Sequence, residues 1–240
     1  MILWQPEPVT RDLDRMVHYA GLWGVDGLEL RTVGKHAQRI PDVNEAPLRK
    51  RIEDEEVDIM LSATDVFSGH VEDVAAWMND LLRFSDILAF NRRLGIGASV
   101  VESMDGDGPI PDEPYRRLVD LAVTAGQTVL VPDPEDDDRV PSLVSAVDHP
   151  GFRRTVTRPL DPGSWNGNAS DIGLVRCRCV VQDLVDQDTV QQSWTVFLKA
   201  MRAQGFSGDV LLEFGGAETG KNGLRLATAF IRATRAAFKK

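Results

Sequence analysis

The stretch GFSGDVLLEF, residues 205–214, decides how this chain reads. Two glycines frame a turn. The apolar run that follows is too short for a helix and reads as a buried strand. It stops on a carboxylate, Glu213. The same arrangement recurs upstream. GLELR carries Glu29, IMLSATD carries Asp65, SVVESM carries Glu102, TVLVPD carries Asp133, TRPLD carries Asp161 and CVVQD carries Asp183. Most of these runs precede a segment with helical spacing. Strands that alternate with helices predict a parallel sheet. In a closed barrel of such strands the ends converge on one face, so seven acids far apart in sequence would share one mouth.

Working outward, the patterning predicts eight strands. They are expected at Ile2–Gln5, Gly27–Val33, Asp58–Thr64, Ala98–Met104, Thr128–Val131, Thr155–Leu160, Val175–Val181 and Val210–Phe214. Helices are predicted at Arg11–Gly24 with Thr10 as N-cap, then at Glu45–Glu56, Val71–Leu94, Tyr115–Ala125, Ser142–Val147, Thr189–Gln204 and Leu224–Phe238. DPGSWNGNASD, after the sixth strand, has no good helical pattern and predicts a long loop or a turn of helix. No linker or composition shift divides the chain. The expectation is one α/β domain over residues 1–240, a (β/α)8 TIM barrel with a poorly formed or missing helix after strand six. A doubly wound open sheet is the alternative. It calls for a glycine-rich phosphate turn after strand one, where PEPVT stands instead.

Composition narrows the function classes. The chain is 42% hydrophobic, enough for a sizeable core. No segment approaches the roughly 20 apolar residues of a membrane span, which sets a membrane partner aside. MILWQPEPVTRDLDR lacks the basic start and apolar core of a signal peptide, so a cytoplasmic location is expected. A net charge of −10 argues against nucleic acid as a partner, because phosphate contacts need basic patches. Cys177 and Cys179 are two apart, unlike CxxC, and read as two small core residues on one strand face.

Four passages resemble the xylose-isomerase-like TIM barrels, which include sugar isomerases and epimerases and metal-dependent endonucleases. GVDGLELR, residues 24–31, is similar to that family's second strand. FNRRLGIGASVV, residues 90–101, is similar to its passage into strand four. CVVQDL, residues 179–184, resembles strand seven, usually a His-x-x-Asp run. GFSGDVLLEF resembles the final unit, whose strand ends in a metal-binding Glu. The resemblance implies a divalent metal held by a Glu after strand five, an Asp or His at strand six, a His at strand seven and the Glu at strand eight. Here Glu213 and Asp161 stand at two of those places. Strand five offers Pro132 or Asp133, and Asp133 serves only if the register turns it inward. Val180 stands where the histidine is expected and cannot bind a metal, while Asp183 remains from that motif.

An all-oxygen set favours Mg2+ or Mn2+ over zinc. The resemblance then implies sugar or sugar-phosphate isomerase or epimerase chemistry. The metal polarises a carbonyl while a carboxylate moves a proton on the neighbouring carbon. Glu213, Asp161 and Asp133 are the metal candidates, with Asp183 as a substitute third ligand or catalytic group. Glu102 and Glu29 are the candidate bases. Each has a plain structural reading beside it: Glu213 as a salt bridge to Arg31 or Arg178, Asp161 as a turn residue, Asp183 as a helix cap. Glu29 and Arg31 share a strand face, as a structural ion pair or as an acid beside an anion-holding guanidinium. His36, beside Lys35 in the basic loop after strand two, and His70, in the flexible loop after strand three, are substrate-binding candidates or surface residues. Trp165, after strand six, could stack on a sugar ring or pack. The ligand implied is carbohydrate-like, and since such barrels often pair, a homo-oligomer is implied too. The competing class is a catalytically degenerate barrel that binds a sugar-like ligand or serves structurally. Its signature would be no metal, carboxylates engaged by arginines and a filled mouth.

Overall fold

In a computed structural model that describes residues 1–134, 138–159, 161–180, 186–215 and 221–238, β1 (Ile2–Gln5) leads into α1 (Leu13–Trp23). The cap of α1 is Asp12, whose side chain accepts from the Arg15 amide. Thr10, the expected cap, instead accepts from the Asp12 amide. Gly24, at φ 66°, closes the helix in the left-handed region. β2 (Gly27–Leu30) is shorter than predicted. Past it, β3 (Thr32–Val33) leaves the barrel and pairs antiparallel with β4 (Gln38–Arg39).

The remaining elements alternate as the patterning predicts. They are α2 (Glu45–Glu53), β5 (Ile59–Ala63), α3 (Val74–Leu94), β6 (Ala98–Val100), α4 (Asp112–Thr124), β7 (Thr128–Asp133) and α5 (Arg139–Val147). Then come β8 (Phe152–Pro159), β9 (Ile172–Val180), α6 (Gln187–Ala203), β10 (Asp209–Gly215) and α7 (Lys221–Phe238). The barrel closes in the order β1-β10-β9-β8-β7-β6-β5-β2, with every neighbouring pair parallel. This is the single closed (β/α)8 barrel of the α/β class that the alternation implied. Among the described residues seven helices accompany it, and residues 161–171 after β8 contain none.

The differences from the predicted elements have physical causes. β6 ends early because the Glu102 amide turns to the Val66 carbonyl and the Met104 amide to the Tyr115 hydroxyl. β8 begins three residues early, in a stretch whose Arg153 and Arg154 hide the apolar alternation. Arg154 can sit there because Asp133 and Asp171 meet its guanidinium.

Alternation sorts each strand into two faces. On β9, Val175, Cys177 and Cys179 face the helices and belong to the main core with Trp194, Phe197 and Phe230. Burial and the neighbouring Cys179 push the Cys177 thiol well above its ordinary value. Leu174 faces the lumen, where Leu3, Leu61, Ala63, Val100, Leu130 and Leu211 pack with it into an apolar floor. Arg176 and Arg178 continue that inward face toward the strand ends. Their registered neighbours on β10 are Leu211 and Glu213, and Glu213 is registered with Gln5 of β1. The floor is dry and the layer above it is polar.

Candidate functional site

The polar layer is built of glutamate and arginine. Arg176 reaches from β9 past β10 and β1 to Glu29 of β2 and donates to both carboxylate oxygens, one of them at 3.1 Å. The Glu29 side chain has no exposure, and that of Arg176 is 11% exposed. Burial alone would push the Arg176 guanidinium down, but the charge and hydrogen bonds of Glu29 overcome it and hold it above its ordinary value. Arg176 also lies 3.7 Å from Glu213. Glu213 accepts at 2.9 Å from Nε of Arg178, whose side chain is 53% exposed at the mouth. Nearby on the same face, Arg31 donates to Glu102 at 2.6 Å and to the Thr64 carbonyl at 3.3 Å. Three glutamates, 29, 102 and 213, thus meet three arginines, 31, 176 and 178, and the layer balances in charge.

The predicted site residues distribute as follows. Glu213 is bound by Arg178, as its salt-bridge reading allowed, and approached by Arg176. Glu29 and Arg31 do not pair with each other, because Glu29 takes Arg176 and Arg31 takes Glu102. Glu29 is sealed inside, where a substrate proton cannot reach it, while Glu102 keeps a third of its side chain exposed. Asp133 shares the face of Val129 and Val131, which pack against the helices, and its carboxylate takes Arg154 at 2.5 Å. The register therefore turns it away from the lumen and from Glu213. Asp161, exposed in the loop after β8, accepts from the Ser193 hydroxyl of α6 at 2.6 Å, so it too stands apart from Glu213 as a metal partner. Asp183 lies outside the described residues.

The proposed substrate contacts also disperse. His36 is exposed in the turn between β3 and β4. His70 is exposed, and the backbone on either side of it pairs with Asp105, whose amide donates to the Gly69 carbonyl and whose carbonyl accepts from the Val71 amide. Trp165 packs edge-on against Phe197 of α6, donates Nε1 to the Gly167 carbonyl and carries the Arg158 guanidinium 5.3 Å from its ring centroid, so it serves the loop. Two lumen residues were not singled out in the sequence, Arg176 and Gln5. RCRCV holds the signal for the first: arginine alternating with cysteine inside an apolar strand places the guanidinium groups on the inward face.

The residues present do not fit a Mg2+ or Mn2+ centre. Glu29, Glu102 and Glu213 are engaged by arginines, the described Glu–Arg layer carries no excess negative charge, and Asp133 and Asp161 point elsewhere. Among the described residues no three His, Cys, Asp or Glu side chains gather as metal ligands would. Nor is any described helix long and apolar enough to cross a membrane.

No protein-family model matches the chain, and no curated protein matches it. Solved structures do. A D-psicose 3-epimerase from Clostridium cellulolyticum H10, with D-tagatose, superposes with a TM-score of 0.67 at 12% identity, over 98% of this chain and 97% of the other. A sugar phosphate isomerase/epimerase from Parabacteroides distasonis gives 0.69 at 12% identity, over 97% and 93%. An IOLI protein with a bound zinc atom gives 0.63 at 13% identity, over 98% and 94%. Closed topology, strand order and coverage agree: this chain has the (β/α)8-barrel fold of these three solved proteins.

Proposed function

We propose that the chain binds a carbohydrate-like ligand at the C-terminal mouth of its barrel, and that this mouth works without a resident divalent metal. The observation that carries the reading is the treatment of Glu213, which Arg178 bonds at 2.9 Å and Arg176 approaches at 3.7 Å. A carboxylate so placed has cations already. What the mouth offers a ligand is the half-exposed rim of Arg31, Glu102 and Arg178. Guanidinium forks donate to sugar hydroxyls or to an acidic group, and the glutamate accepts from hydroxyls. The fold's likeness to sugar epimerases supports the ligand class.

The test has two arms. Metal analysis of protein purified without chelator, with a thermal shift in Mn2+, should give no stoichiometric metal and no shift. Calorimetry against ketoses, sugar acids and sugar phosphates should find a saturable ligand whose binding weakens in Arg178→Ala. Tightly bound Mn2+ together with sugar isomerisation would overturn the reading.

A second reading rests on Glu102, whose carboxylate is fixed by Arg31 yet open to the mouth. It could act as a base without metal, moving a proton beside a ligand carbonyl. Deuterium from solvent would then enter a bound ketose, and Glu102→Gln would stop it.

A further inference from the structure

The hydroxyl of Tyr115 does something its ring does not. Tyr115 lies on α4, fully buried, with its ring edge-on to Phe67 at 4.8 Å and tilted against Phe152 at 5.7 Å. A phenylalanine would fill that space, and a buried hydroxyl costs free energy unless it is bonded. This one is bonded twice, to the chain just past β6. It accepts from the Met104 amide at 3.0 Å and donates to the Glu102 carbonyl at 3.2 Å. A single hydroxyl can do both, so it fixes the turn from Glu102 to Met104. Burial pushes the phenol well above its ordinary value, against the Met104 hydrogen bond and with the charge of Glu102, so it stays protonated and able to donate.

The turn carries the rim glutamate. Past the last residue of β6, the Glu102 amide donates to the Val66 carbonyl at 2.8 Å. The Glu102 carboxylate accepts from Arg31 at 2.6 Å, and the same Arg31 nitrogen donates to the Thr64 carbonyl at 3.3 Å. Amide, carbonyl and carboxylate of Glu102 are thus each held by a different group, and Tyr115 reaches its share from the helix layer. We propose that Tyr115 is the positioning residue of the mouth, its hydroxyl setting the turn that aims the Glu102 carboxylate at Arg31 and at the ligand edge. The ligand half rests on the mouth reading above. The coupling of Tyr115 to the rim pair does not, and coupling is mutual: a change at either end is felt at the other.

The chain has two tyrosines, Tyr19 and Tyr115, so labelling with 3-fluorotyrosine gives two fluorine signals, assigned with Tyr19→Phe. Arg31→Gln and Glu102→Gln should each shift the Tyr115 signal and leave the Tyr19 signal in place. Tyr115→Phe keeps the ring. It should lower the melting temperature by a few degrees and speed hydrogen exchange at the Glu102 and Met104 amides by roughly tenfold, with the Val129 amide of β7 unmoved. Calorimetry with D-glucuronate, a sugar acid, reads the ligand side. Tyr115→Phe should weaken binding about as much as Glu102→Gln, and the double variant no further. Absence of D-glucuronate binding by the wild type would count against the mouth reading and leave the coupling to stand or fall on the fluorine signals. Those signals also decide it if Tyr115→Phe does not fold. A Tyr115 signal that ignores both rim substitutions would overturn the inference. So would exchange at Val129 that rises as much as at Glu102 and Met104, which would make Tyr115 a packing residue only.

Discussion

Two arginine–glutamate pairs occupy the mouth of this barrel, and they differ in surroundings more than in chemistry. Arg176–Glu29 spans the lumen, with side chains 11% and 0% exposed, whereas Arg31–Glu102 sits at the rim with 36% and 33%. Water can take over either half of the rim pair. It cannot reach Glu29. A buried ion pair adds little relative to a well-packed apolar pair, yet losing one partner strands a charge in a dry place. The lumen pair is therefore structural, and the rim pair is free to meet a ligand.

The largest expected effect breaks the lumen pair. Arg176→Met should lower stability by about 3–5 kcal/mol in urea unfolding, because Glu29 is left uncompensated. The double variant Arg176→Met with Glu29→Met should recover most of that loss, since no stranded charge remains. If the double variant is as unstable as the single one, packing rather than charge governs the site. Next in size is Arg154, 11% exposed, which ties Asp133 on β7 to Asp171 before β9. Arg154→Met should lower stability by about 1–3 kcal/mol, the penalty for leaving partly buried acceptors unmet. At the rim, Arg31→Gln should shift stability by less than about 1 kcal/mol, as exposed pairs do. Its effect should appear in ligand affinity instead. A large loss of stability in Arg31→Gln would erase the distinction between the two pairs.

This contrast also marks what the sequence could tell. The eight strands were legible because each apolar run stands between turn residues, and Glu213 with Arg178 was legible because both close such runs. The register of β7 was not. TVLVPD places a carboxylate at the strand end, but only the pairing of Val129 and Val131 with the helices turns Asp133 outward. Thr32 and Val33 read as a continuation of β2, yet they find hairpin partners in Gln38 and Arg39 beyond the loop. The partner of Glu29 lies 147 residues away across two intervening strands, a separation no local pattern encodes.

The smallest expected effect concerns Asp80 of α3, which supports the mouth loop after β5. It accepts from the Phe67 amide at 2.8 Å, where Phe67 sits at φ 67° with its buried ring against Tyr115. Tyr115 in turn donates to the Glu102 carbonyl, so this contact reaches the rim. Burial raises the Asp80 carboxyl above its usual 3.8, the Phe67 hydrogen bond opposes the shift, and the charge of Asp65 adds to it. The folded chain thus holds this proton more tightly than the unfolded chain. The contribution of Asp80 favours folding at acid pH and is lost as pH rises from 3.8 through the folded value. Asp80→Asn keeps an oxygen for Phe67 and has no proton to lose. It should be more stable than the wild type at neutral pH, by under about 1 kcal/mol. The gap should close on acidification through that window, measured as urea midpoints at the two ends. A gap that widens in acid would mean that the charged form of Asp80, through Arg83, is what the loop requires.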